Sequence, residues 1–202
     1  MDEHQKGFLT EVLNTGAQRA GAVLGELVQR HVNLSVPDVD ICPVADLPGH
    51  LSLFQNDQVT SVTMGFSGVL SGDAVLLLSG FSGILLTQRL MGGATDLAEV
   101  QEEKQEAISE VGNIVVNNFV GAWAEVFHDR FTFGLPQFEE CGLNELLDAR
   151  ISGDGKQRTH AIWANAHFDV SEFFIVGTLL TLFDQASVER LVGAVSSSQA
   201  AR

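Results

Sequence analysis

Basic residues are scarce in this 202-residue chain: 11 lysines and arginines stand against 26 aspartates and glutamates, a net charge of −15 with histidine neutral. A surface of that sign repels phosphodiester backbones and anionic lipid, which disfavours nucleic-acid and membrane partners and suits a basic protein partner. Long hydrophobic runs are missing too. A bilayer-spanning helix needs roughly 20 consecutive apolar residues, whereas Val75–Leu78 and Ile84–Leu86 are broken up by Gly80, Ser82 and Gly83. The stretch Met1-Asp2-Glu3-His4 has no basic segment followed by an apolar one, so it does not read as a secretory signal and the expected location is the cytoplasm.

Cysteine is reduced to two residues, too few for a disulfide framework. Neither Cys42 nor Cys141 sits in a CxxC or beside a histidine cluster, so both read as small buried hydrophobes, not as a metal or redox pair. Tyrosine is absent, and the 13 phenylalanines read as core packing. There is no glycine-rich phosphate loop of either common spacing. Gly65-Phe66-Ser67-Gly68 and Gly80-Phe81-Ser82-Gly83 lack the second spacer of a nucleophile elbow and read as strand and turn glycines. His160 and His167, seven apart near one strand, fall on opposite faces, and His128 stands turns away from the residues singled out below, so no metal site is expected.

What the chain does contain is a pattern written twice. Glu11-Val12-Leu13-Asn14 is followed by Pro37 and Cys42; Glu110-Val111-Gly112-Asn113 is followed by Pro136 and Cys141. In each copy the proline stands 23 positions after the asparagine, the cysteine five positions after the proline, and all four matches share an offset of 99. On a helix, Glu and Asn at i and i+3 lie side by side on one face.

The periodicity places both pairs on long helices. Over residues 6–33, Leu9, Leu13, Gly16, Ala20, Leu24 and Leu27 share an apolar stripe, with Glu11, Asn14, Thr15, Gln18, Ala22, Gly25 and Gln29 opposite. A second helix opens at the capping-box spacing Asp96-Leu97-Ala98-Glu99 and runs to about Arg130. Its core stripe is Ile108, Val111, Val115, Phe119, Ala122 and Val126, and its outer face carries Glu110, Asn113, Asn117, Gly121, Ala124 and His128. Glu102, Glu103 and Glu106 read as a solvated face.

Between and after the helices the pattern predicts an edge strand over 38–45, strands over 58–66 and 69–79, and a helix over 81–91 stopped by Gly92-Gly93. The second half repeats this with a segment at Pro136–Cys141, a turn-rich loop over 148–157, strands over 158–170 and 172–183, and a helix capped by Asp184. The reading is an α/β fold: a single pseudo-twofold-symmetric domain over 1–202, built by internal duplication, with two long helices packed on a mixed β-sheet. The half-repeats span about 6–93 and 96–195, and 196–202 reads as a frayed tail.

At Glu11/Asn14 and Glu110/Asn113 the chain resembles the CheC group of bacterial chemotaxis phosphatases, within the wider CheC, CheX and FliY family. That family is marked by Glu, Asn three residues on, and Pro 23 positions later. Asn14-Thr15-Gly16-Ala17 with Ala20, and Glu110 to Ile114, look like its two helix signatures. Gly7 and Glu106 stand where the family often has Asp or Ser.

The resemblance covers nearly the whole chain. It implies a phosphatase, a hydrolase acting on the aspartyl phosphate of a CheY-type receiver, with Glu11, Asn14, Glu110 and Asn113 as catalytic residues. It also implies that Mg²⁺ belongs to the receiver and no cofactor to this chain, and that the deamidase CheD is a second partner. Chemically, an Asn amide offers both a donor and an acceptor and can align a water without ionising. The glutamates would pair with a receiver lysine. The competing reading is a non-catalytic binding or adaptor module for a receiver or for CheD, like the flagellar-switch middle domains that share the fold.

Overall fold

A computed structural model describes residues 3–54, 58–91, 96–152, 157–170 and 173–200, with the side chains of Leu97, Glu99 and 196–200 outside the description. In chain order the elements are α1 (Glu3–Val28), β1 (Val32–Pro43), α2 (Leu47–His50), a 3₁₀ turn (Ser52–Phe54), β2 (Gln58–Ser67), β3 (Gly72–Ser79), α3 (Gly80–Leu90), α4 (Leu97–Phe127), β4 (Thr132–Phe133), β5 (Gln137–Gly142), α5 (Leu143–Ser152), β6 (His160–Val170), β7 (Phe173–Phe183) and α6 (Gln185–Ala200).

The sheet order is β1-β6-β7-β3-β2, with β4 and β5 both pairing β2. The order is palindromic about the β7–β3 contact, and the halves are interleaved: β1 of the first half pairs β6, while β5 of the second half pairs β2. Each half therefore closes the sheet edge that the other leaves open. Every described pairing is antiparallel, so the sheet is not mixed as expected. The reason is local: β2–β3 and β6–β7 pair antiparallel as consecutive strands, and the exchanged edge strands arrive against them.

Strand alternation splits the core into two layers. Val62, Met64, Leu76, Leu78, Ile162, Ala164 and Phe168 face α1, α4, α3 and α6; Val59, Val75, Leu77, Ala161, Trp163 and Leu180 face α2 and α5. The second layer was not foreseen. Leu143, Leu146 and Leu147 are buried there, at helical i, i+3, i+4 spacing, so residues 148–152 of the expected loop belong to α5, while 153–156 lie outside the described residues.

Glycine permits a close approach of α1 to α4 and of α4 to β2. A Cβ on Gly16 would lie 2.7 Å from the Asn118 carbonyl, and one on Gly112 would lie 2.4 Å from the Val62 side chain. The core stripes are buried as expected up to Leu24, but Leu27 is 56 % exposed. The last turn of α1 overhangs the core, and Val28 is the residue that packs against it there.

Both long helices end at non-glycine left-handed residues, Gln29 (φ 53°) and His128 (φ 51°), again 99 apart. Arg30 N–H donates to Gly25 O and Asp129 N–H to Ala124 O, both at 3.1 Å, matching the hydrogen bond that closes a Schellman motif. The other caps agree with the sequence. Asp96 accepts from Ala98 N–H at 2.9 Å and Asp184 from Ser187 N–H at 2.8 Å. The return contact of Glu99, like Gly92-Gly93, lies outside the described residues. The tail expected from Ser196 is instead helical backbone to Ala200.

Candidate functional site

Glu11 and Asn14 lie on α1, Glu110 and Asn113 on α4; both glutamates are exposed and both asparagines half-buried. Each motif proline lies in a strand irregularity. In β1 the register shifts between Ser35↔His167 and Asp38↔Asn165, so Val36 and Pro37 together oppose Ala166. Between β4 and β5, Gly134, Leu135 and Pro136 span the interval Met64–Gly65. Each is one residue too many on the proline side, a bulge, where a residue without an N–H is tolerated.

The surroundings of the two asparagines then diverge. Asn14 Oδ1 accepts from Val36 N–H at 2.8 Å, while its Nδ2 donates to Val36 O at 2.8 Å and to Thr10 O at 3.0 Å. Val36 is the buried extra residue of the bulge, so the Asn14 amide supplies the pairing its backbone cannot find on β6. The same strand is held again one step on, where Lys6 Nζ meets Asp38 Oδ1 at 2.7 Å. That hydrogen bond raises the Lys6 pKa above the usual lysine value. Both N–H donors of Asn14 are used, and one lone pair of Oδ1 is left.

At the second pair the positions equivalent to Lys6 and Asp38 are Gln105 and Gln137, and Gln137 accepts from Arg150 of α5 at 3.0 Å. α4 is instead anchored nearer its start: buried Lys104 pairs with Glu140 of β5. Asn113 makes no hydrogen bond to the Leu135–Pro136 backbone among the described residues. Its Oδ1 accepts from Asn117 Nδ2 at 2.7 Å, and Asn117 Nδ2 also donates to the Asn113 carbonyl at 2.7 Å. No described hydrogen bond uses Asn113 Nδ2. Leu135 is 85 % exposed.

Glu110 also borders a half-open cleft of about 390 Å³, walled by Leu27 and Val28 of α1, Leu90 and Met91 at the end of α3, and Ala107 and Val111. Leu27, expected in the core, is thus part of an exposed apolar wall beside the second pair.

The cysteines and histidines take no part in either pair. Burial pushes the Cys42 thiol up to about 11, and Cys141, only half-buried, is also raised by burial. Among the described residues no three His, Cys, Asp or Glu side chains converge on a metal-sized site, and no helix is long and apolar enough to cross a membrane. Sequence reasoning missed the role of Val36 as the partner of Asn14, and of Asn117 as the partner of Asn113. The first was signalled by the fixed Asn-to-Pro spacing; the second by a further amide one turn on, on the same face of α4.

No family model matches the chain. A curated relative, the CheY-P phosphatase CheC of Bacillus subtilis, is 25 % identical over 210 residues, covering 97 % of this chain and 96 % of the relative. Thermotoga maritima FliY superposes with a TM-score of 0.72 at 16 % identity, covering 98 % of each chain. FliM from the H. pylori FliM–SpeE complex superposes with a TM-score of 0.66 at 11 % identity, covering 98 % of this chain and 97 % of the other. At those identities the two structures speak to the fold.

Proposed function

We propose that this chain acts as a member of the CheC, CheX and FliY family of chemotaxis proteins and hydrolyses the aspartyl phosphate of a CheY-type receiver, chiefly at Glu110/Asn113. The observation that carries this reading is the Asn113 amide. It stands on α4 one turn from an exposed glutamate, with both Nδ2–H donors and one Oδ1 lone pair uncommitted among the described residues. A water held by that lone pair has its oxygen directed at phosphorus. The Nδ2–H groups meet the phosphoryl oxygens. Attack forms the new P–O bond as the aspartyl P–O bond breaks, releasing the receiver carboxylate and inorganic phosphate.

Such a transfer is dominated by positioning and charge stabilisation. The receiver brings its own Mg²⁺ and lysine. Glu110 pairs with that lysine and sets the docking angle, and the cleft beside it receives an apolar side chain of the same partner. A net charge of −15 favours an encounter with a basic surface.

Glu11/Asn14 is the weaker site on this reading, because Asn14 must release Val36 before its amide reaches a phosphoryl group. That commitment favours a second role for the first half, as a surface that binds a receiver without turning it over. The test is the lifetime of a phosphorylated receiver with this protein and with its Asn→Ala variants. If the double variant Asn14→Ala/Asn113→Ala shortens that lifetime as well as the unaltered protein does, the proposal is wrong. Repeating the assay with a CheD-type deamidase present tests that partner.

A further inference from the structure

Asn117 stands one helical turn beyond Asn113 and is half-buried. Its Nδ2 lies 2.7 Å from the Asn113 backbone carbonyl and 2.7 Å from the Asn113 side chain. A backbone carbonyl can only accept. The end of the Asn117 amide beside it must therefore be the NH₂, and the end of the Asn113 amide facing that NH₂ must be the oxygen. One carbonyl thus decides the direction of two amides in series. The outcome is an Asn113 NH₂ turned away from Asn117, with no described partner.

We infer that Asn117 is a positioning residue for the proposed phosphatase reaction: it dictates which end of the Asn113 amide meets the incoming phosphoryl group. The inference rests on the Glu110/Asn113 reading and deepens it. The first half supports it by contrast. There the equivalent of Asn117 is Gln18, exposed and in no described hydrogen bond, and the Asn14 amide takes its direction from Val36. Each asparagine is thus oriented by a donor–acceptor system, but only the one built from Asn117 leaves the NH₂ open.

The discriminating substitution is Asn117→Asp, nearly isosteric but unable to donate. The new carboxylate is repelled by the Asn113 carbonyl and accepts from Asn113 Nδ2, turning that amide round and occupying its NH₂. The expected result is a fall in kcat of about tenfold or more, the scale of one misdirected hydrogen bond to a charged group, with KM for the phosphorylated receiver within about twofold. The side-chain NH₂ signal of Asn113, followed by ¹⁵N-resolved NMR hydrogen exchange, is expected to change from fast in the unaltered protein to protected in the variant.

Asn113→Ala is measured alongside. If it abolishes turnover while Asn117→Asp keeps full kcat and an unprotected Asn113 NH₂, the Asn117 inference is overturned and the phosphatase reading stands. If the unaltered protein does not shorten the receiver phosphate lifetime, both are overturned.

Discussion

The two helix–strand pairs differ in what the proline bulge is tied to. In the first, α1 grips the bulge: Asn14 pairs with both backbone groups of Val36, and Lys6 holds Asp38. In the second, α4 is fastened to β5 by Lys104 and Glu140, while the Leu135–Pro136 stretch has no such grip among the described residues. Equivalent residues at one offset therefore do different work. The Asn14 amide completes a strand, whereas the Asn113 amide meets Asn117 and no described strand group.

The comparison is sharpened first by exchanging each asparagine for alanine and measuring receiver dephosphorylation. Asn113→Ala is expected to lower turnover about 10²-fold or more, as for loss of a reactant-positioning group, and Asn14→Ala to change it by less than about threefold. Equal losses would erase the distinction drawn here.

Stability should rank the two substitutions in reverse. Asn14→Ala leaves the Val36 N–H and C=O without partners in the core, and urea unfolding is expected to show a loss of about 2–3 kcal/mol. For Asn113→Ala, which removes no pairing to a strand, the expected change is under about 1 kcal/mol.

A third comparison concerns glycines of α4. Gly112→Ala drives a methyl into Val62 and is expected to cost about 1–3 kcal/mol. Gly121→Ala meets open space on a helix and should stabilise by up to about 1 kcal/mol. Thermal melts of the two variants read both signs.

A further effect is a pH dependence. The folded state holds the Cys42 proton up to about pH 11 against an ordinary thiol value of 9.0. Below 9 the folded and unfolded chains bind that proton alike. Above it the unfolded chain releases the proton first, so stability falls as pH rises between those two values. Cys42→Ala is expected to flatten that alkaline slope in unfolding titrations.

Much of the fold was legible from periodicity. The stripe through Leu9, Leu13, Gly16, Ala20 and Leu24, the stripe through Ile108, Val111, Val115, Phe119 and Ala122, and strands β2, β3, β6 and β7 follow from apolar spacing bounded by turn residues, a local signal. By contrast β1, read as an edge strand over 38–45, runs from Val32 to Pro43. α5 was not legible because its Leu143, Leu146, Leu147 spacing is short and runs directly into the turn residues Ser152-Gly153-Asp154-Gly155. Gln29 and His128 gave no signal as left-handed caps, since neither is glycine.

The duplicated Glu-x-x-Asn and its distant proline belong to the sequence, because residue type and spacing are all that a motif needs. The exchange of β1 and β5 between halves, and with it the capture of Asn14 by Val36, belongs to the tertiary structure. Residues 22 apart are brought to 2.8 Å by sheet closure, and no property of either residue alone specifies that contact.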